Sequence, residues 1–279
     1  MIPMSIRHQQ GKTAYWVYND DPKLATIVMI HGLRGTHHGL DLVAKELTNF
    51  RVIVPDLPGF SESEPFDKEH SIDNYVVWLN EFISGLELRK KPFLMGHSFG
   101  SIIVSSYVSQ YPESVEKLIL VNPIGSTVVD NTRSISSKLA IGYYWLSEVT
   151  PEKIGNGILS AKPIVMITSL ALTKTRDKKL RKWIHSQHMK YFSTYANRRT
   201  VNEAFKASIK NSVRDFAANI AVPTLVIAGE LDNITPLKKQ KELVSIFPNS
   251  RIIVIKNVGH LTQYETPDEI VKAITNFLT

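Results

Sequence analysis

The chain has no cysteine among its 279 residues, which excludes disulfides, thiolate metal sites and a cysteine nucleophile. Long apolar runs are missing too. The longest, PIVMITSLAL over Pro163–Leu172, falls short of the roughly 20 residues that a membrane-spanning helix needs. The first residues, MIPMSIRHQQGKTAYWVYND, hold no apolar core of leader-peptide length, so a cytoplasmic location is the expectation. No repeat or low-complexity tract breaks the sequence. At 43% apolar residues, the chain can bury a sizeable core as one domain carrying an insertion.

Acidic residues are scarce in one segment. Between Thr127 and Asn219, 16 Lys and Arg stand against 6 Asp and Glu, a surplus of ten. The whole chain carries +7, so the remainder is slightly negative. Most of the surplus sits in TKTRDKKLRKW and YANRRT. A solvated helix face is the plain reading of such runs. The other is attraction of an anionic substrate, or weak contact with an anionic membrane surface. No nucleic-acid motif accompanies the charge, so DNA and RNA are not expected partners.

What is present is an alternation. SIRHQQ and TAYWVYN read as two strands joined at Gly11-Lys12. ATIVMIHG, RVIVPDLPG, PFLMG and VEKLILVNP are apolar runs of the kind a strand buried on both faces requires. Helical patterns over Gly39–Asn49, Ile72–Leu86 and the stretch after Ser98 separate them. The rhythm then stops. From Thr127 to Asn219 only helical stretches occur, over Ser134–Leu146, Ile164–Thr173, Lys178–Phe192 and Arg199–Lys210. It resumes with VPTLVIAGELDNITP, a helix at Leu237–Phe247, RIIVIKNVGH and a last helix over Pro267–Leu278. The expected architecture is an α/β fold with a mostly parallel central sheet and helices on both faces. Residues 1–126 and 220–279 would form its core, and 127–219 an inserted all-helical cap.

Ligands of such sheets sit beyond the carboxyl ends of the strands. His31-Gly32-Leu33, Asp56, Ser98, Asn122, Asp232 and His260 occupy those ends. Ser98 lies in Gly96-His97-Ser98-Phe99-Gly100, between a strand and a helix. A sharp strand-to-helix turn pushes a serine hydroxyl into the open, and glycines on either side let strand and helix approach. A hydroxyl becomes a nucleophile only when a base takes its proton. His260 follows the last apolar strand and reaches the same sheet edge; the other eight histidines are less well placed. Asp232 gives the order Ser, acid, His, with Glu230 as the fallback carboxylate and Asp56 read as a loop-stabilising aspartate. The amides of Phe99 and Leu33 are the expected oxyanion donors, leaving both side chains free to line an apolar pocket. No metal or other cofactor is called for.

HGLRG, PDLPGFSES, GHSFGS, GELDNITP and NVGHLTQYETP together resemble the α/β-hydrolase superfamily, in its capped, serine-nucleophile branch. The likeness covers Ala25–Pro123 and Val222–Leu278, and the insertion stands where the family carries its cap. Ser101 replaces a glycine found in many relatives. A serine nucleophile argues against the carbon–halogen and epoxide chemistry of relatives that use aspartate. The resemblance implies a carboxylic-ester hydrolase working through an acyl-enzyme on small or lipid-like molecules. A carbon–carbon bond hydrolase for keto-acid ring-cleavage products is the alternative, with a cap arginine holding the substrate carboxylate. A non-catalytic small-molecule receptor on the same fold is a third. PIVMITSLAL either lines an acyl or aromatic pocket or packs on neighbouring helices. Acyl and alcohol specificity and oligomeric state are not encoded in any motif.

Overall fold

The computed structural model describes residues 1–127 and 135–279. A hairpin of β1 (Ile2–His8) and β2 (Gly11–Tyr18) precedes β3 (Thr26–Ile30), β4 (Arg51–Pro55), β5 (Phe93–His97), β6 (Leu118–Val121), β7 (Thr224–Gly229) and β8 (Ser250–Ile255). They form one sheet in the order β1-β2-β4-β3-β5-β6-β7-β8. Only β1–β2 and β2–β4 pair antiparallel; the other neighbours are parallel.

Alternation along the buried strands divides the core in two. Val28, Ile30, Ile53, Leu94 and Leu120 face α2 (Ile72–Gly85) and α3 (Phe99–Gln110). Ile27, Met29, Val52, Met95 and Ile119 face α1 (Asp41–Glu46) and the C-terminal helix Pro267–Leu278. With both faces covered, each central strand must be apolar at every position, hence the continuous runs. Ser71 starts α2 by accepting the Asn74 amide at 3.3 Å, as an N-cap serine does.

Between β6 and β7 the described residues hold α4 (Ile135–Val149), α5 (Glu152–Leu159), α6 (Lys162–Leu172), α7 (Lys178–Tyr191), α8 (Arg198–Lys210) and the short α9 (Arg214–Ala217). α9 packs against α3. Then come α10 (Leu237–Val244), α11 (Thr262–Glu265) and α12 (Pro267–Leu278). The start of the helix expected from Ser134 lies outside the described residues.

Several expectations shift. Gly11, at φ 116°, opens β2, so the hairpin turn falls on Gln9-Gln10 rather than Gly11-Lys12. α1 is short because a 3-10 turn at His37–Gly39 precedes it, held by the His37 amide on Asp56 at 2.7 Å. α5 was hidden by two glycines that weaken a helical pattern. One is needed: a methyl on Gly155 would stand 2.2 Å from the Ser147 carbonyl oxygen of α4. α5 and α6 together make Glu152–Leu172 long and apolar enough, by length and composition, to cross a membrane. The ten-residue run understated this, although the chain turns between the helices at Ser160-Ala161.

Candidate active site

Ser98 stands at the junction of β5 and α3 with φ 52° and ψ −118°. Positive φ is unfavourable for a residue with a side chain, so the neighbours must enforce it. A methyl on Gly96 would lie 2.6 Å from the Gly100 carbonyl oxygen, and one on Gly100 2.4 Å from that of Ile30. Both elbow glycines are therefore steric requirements. Ser101 is fully buried and donates its hydroxyl to the Ser98 carbonyl, while accepting the Ile124 amide at 3.2 Å. The residue that departs from the common glycine thus adds a brace.

His260 and Asp232 meet Ser98 from distant parts of the chain. Ser98 Oγ is 2.8 Å from His260 Nε2, and His260 Nδ1 is 2.7 Å from Asp232 Oδ2. An ionised carboxylate only accepts, so Nδ1 carries the hydrogen. Nε2 of the neutral ring then accepts from the Ser98 hydroxyl. Burial by itself would push the Asp232 carboxyl up. The facing His260 and the Thr235 hydroxyl and amide outweigh it and hold the group down at about 2. Thr235 Oγ1 donates to Oδ2 at 2.6 Å, and the amides of Ile234 and Thr235 donate to Oδ1 at 2.8 and 3.0 Å. Glu230, the fallback acid, is exposed and accepts the Asn257 amide at 3.0 Å instead.

Two side chains tie the His260 loop in place. Asn122 Nδ2 donates to the His260 carbonyl at 3.0 Å and to Thr262 Oγ1 at 3.1 Å, while its Oδ1 accepts the Gly229 amide at 2.8 Å. It thereby joins the ends of β6 and β7 to the loop after β8. His97 Nε2 lies 3.2 Å from the same His260 carbonyl. Burial, then the neighbouring His260, pushes the His97 imidazole down to about 3, so it stays neutral and donates from Nε2. Position marked Asn122 in the sequence as a strand-end residue, but its partners become evident only with the loop folded over it. Thr235 carried no signal beyond lying three residues after the acid.

The loop after β3 passes against the elbow: a methyl on Gly32 would stand 3.2 Å from Ser98 Cβ. His31 fixes it, accepting the Leu57 amide on Nε2 at 2.9 Å, with Nδ1 2.8 Å from the Gly32 carbonyl. Asp56 sits in the adjoining loop, bound to His37, and takes no part at Ser98. Among the described residues neither the Leu33 nor the Phe99 amide has a hydrogen-bond partner. Their side chains part company. Leu33 lines a cavity of about 100 Å³ beside Ser98. Phe99 does not; it is fully buried and packs edge-on to Tyr75 at 5.6 Å, because the first turn of α3 faces the α2 layer. The expectation that both would line the pocket is corrected for Phe99.

Leu172, His188, Tyr191 and Phe192 of the insertion close the cavity from above, with Leu261 and Tyr264 beside them. A model of the alpha/beta hydrolase fold family matches residues 25–267. The chain belongs to that family. As an α/β hydrolase it is similar to Lipase 1 of Psychrobacter immobilis, 25% identical over 91% of this chain and 77% of that protein. It is also similar to 2-hydroxymuconate semialdehyde hydrolase of Pseudomonas putida, 26% identical over 82% of this chain and 76% of the other. The fold of the enol-lactonase from Burkholderia xenovorans superimposes with a TM-score of 0.81, covering 99% of each chain at 15% identity.

Arg34 was not singled out by sequence reasoning, and it is the one cation lining the cavity among the described residues. It is only 3% exposed, and protein groups hold its guanidinium. It donates to the carbonyls of Leu159 at 2.6 Å and Phe192 at 3.1 Å and to the Tyr143 hydroxyl at 3.2 Å, and stacks 4.1 Å above the Phe192 ring. The residue after Leu33 thus clamps the loop to α4, α5 and the end of α7.

Proposed function

We propose that this α/β hydrolase cleaves carboxylic esters of small or lipid-like molecules through an acyl-enzyme. The observation that carries the reading is the unbroken chain from Ser98 Oγ to His260 to Asp232, at 2.8 and 2.7 Å, together with the Leu33 and Phe99 amides that have no partner among the described residues. Ser98 attacks the ester carbonyl as its proton passes to His260 Nε2. The carbonyl oxygen takes the negative charge and accepts from the Leu33 and Phe99 amides. The imidazolium, stabilised by Asp232, gives the proton to the departing alcohol. Water then attacks the acyl-enzyme with His260 again as base, releasing the acid and restoring Ser98. The α4–α8 insertion acts as a lid that keeps bulk water from the reacting carbonyl.

Lipase 1 supports an ester substrate, whereas the Pseudomonas putida relative supports the carbon–carbon alternative. That alternative asks for a cation free to hold a substrate carboxylate. Among the described residues the cavity offers only Arg34, already buried and bound to three protein groups, which favours the ester. About 100 Å³ is small beside the roughly 300–1,000 Å³ of ordinary ligand pockets, so with the lid closed it suits short acyl groups.

A fluorophosphonate probe is expected to label the wild type at Ser98 alone. Nitrophenyl acetate and butyrate should turn over, with Ser98→Ala at least about 10⁴-fold slower. No turnover on esters of any chain length overturns the ester reading. Prompt labelling without ester turnover, with keto-acid cleavage, would move the assignment to the carbon–carbon class.

A further inference from the structure

The insertion carries an apolar surface that the chemistry at Ser98 does not use. Among the described residues, 8 of the 15 large apolar side chains left exposed fall between Leu139 and Leu170. They are concentrated in one stretch of the chain, α4 to α6, rather than scattered along it. Trp145 is 60% exposed and Ile167 65%. On α6, Val165 and Ser169 point inward, while Pro163, Ile167, Leu170 and Ala171 form an outward stripe at helical spacing. At the end of the same helix, Leu172 lines the Ser98 cavity.

Beside the stripe lies an open groove of about 500 Å³ between α6 and α7. Met166 and Met189 line it together with Lys178, Arg181, Lys182 and His185. None of those three cations forms an ion pair among the described residues. Exposed apolar residues next to unpaired cations match the two layers of a lipid surface, acyl chains below and phosphates above. An exposed tryptophan suits the headgroup level between them.

We propose that the outer face of α4–α6, with the cationic groove of α6 and α7, docks the protein on an anionic lipid surface. Glu152–Leu172 lies along that surface and does not span it. The chain turns at Ser160-Ala161, and the Leu159 carbonyl just before the turn is held by buried Arg34. Docking brings the end of α6, and with it the mouth of the cavity, to the lipid. It does not depend on the chemistry at Ser98.

The test is co-sedimentation of the purified full chain with two kinds of vesicle. One is phosphatidylcholine alone; the other contains about 30% phosphatidylglycerol. Binding is expected to the second, falling steeply as salt rises from about 0.05 to 0.5 M. I167D/L170D and K178E/K182E should each bind at least about tenfold more weakly. Both should hydrolyse a soluble short-chain ester within about twofold of wild type, and inactive Ser98→Ala should bind vesicles normally. Equal binding to both vesicles, no binding, or wild-type binding by either double variant overturns the proposal. So does light scattering that shows a dimer broken by I167D/L170D without vesicle binding, since a second copy would then be the occupant.

Discussion

A serine at φ 52° and ψ −118° costs about 1–3 kcal/mol of local strain, and the fold keeps it there with two glycines that no other residue could replace. The side chains around it are held just as firmly. Asp232 accepts three hydrogen bonds besides that of His260, and the Thr235 hydroxyl supplies the shortest. Thr235→Val keeps the shape but leaves a buried carboxylate oxygen short of a donor. The remaining negative charge is less well placed to orient and stabilise the imidazolium. The expected outcome is a roughly tenfold fall in kcat with KM little changed, about 1.4 kcal/mol, measured by steady-state ester hydrolysis on protein of wild-type circular dichroism. A KM effect alone would make Thr235 a substrate contact instead.

Among the elements, the insertion and the sheet meet through a few specific links. Arg34 carries one of them, from the loop after β3 to α4, α5 and α7. Another is the bridge from Phe60 to Tyr195, flanked by the Ser61 amide on Thr194 and the Ala196 amide on Gly59. Arg34 follows Leu33 directly, so a shift of the insertion moves an amide assigned to the oxyanion. Arg34→Ala is expected to lower kcat about 10- to 100-fold and to slow fluorophosphonate labelling in parallel. Arg34→Lys should recover only part of this, because an ammonium cannot reproduce the guanidinium's planar fork. Loss of thermal stability without any loss of labelling rate would reduce Arg34 to a packing role.

For the whole molecule, buried neutral histidines set a pH limit. Burial is the largest cause of depression in three of them: His97 is pushed down to about 3, and His70 and His188 to about 4. Unfolded, each takes up a proton near pH 6.5. The unfolded state therefore binds more protons below that pH, and stability falls with acidification between about 6.5 and 4. At pH 5.5 each of these histidines costs on the order of 1 kcal/mol, a few kcal/mol together. Asp232, depressed in the fold, adds its loss only below about pH 3.8. Urea midpoints at pH 7.5 and 5.5 check this: the lower pH should give the lower midpoint, and an unchanged one contradicts it.

Strand runs apolar at every position, a glycine-flanked serine at a strand end, and an aspartate and a histidine at later strand ends are local patterns. Each follows from a constraint acting within a few residues, so the α/β sheet was legible in the chain, as was the meeting of Ser98, Asp232 and His260 at one sheet edge. α5 was not, since its glycines weaken the helical pattern and are justified only by the approach of α4. The Phe99 side chain, the Asn122 clamp, the contacts of Arg34 and the pairing of exposed apolar and cationic faces were likewise hidden. Each depends on which segments lie side by side after folding, across separations as large as the 158 residues between Arg34 and Phe192. Sequence spacing fixes which way a residue points along its own element; only the packed molecule decides what it meets there.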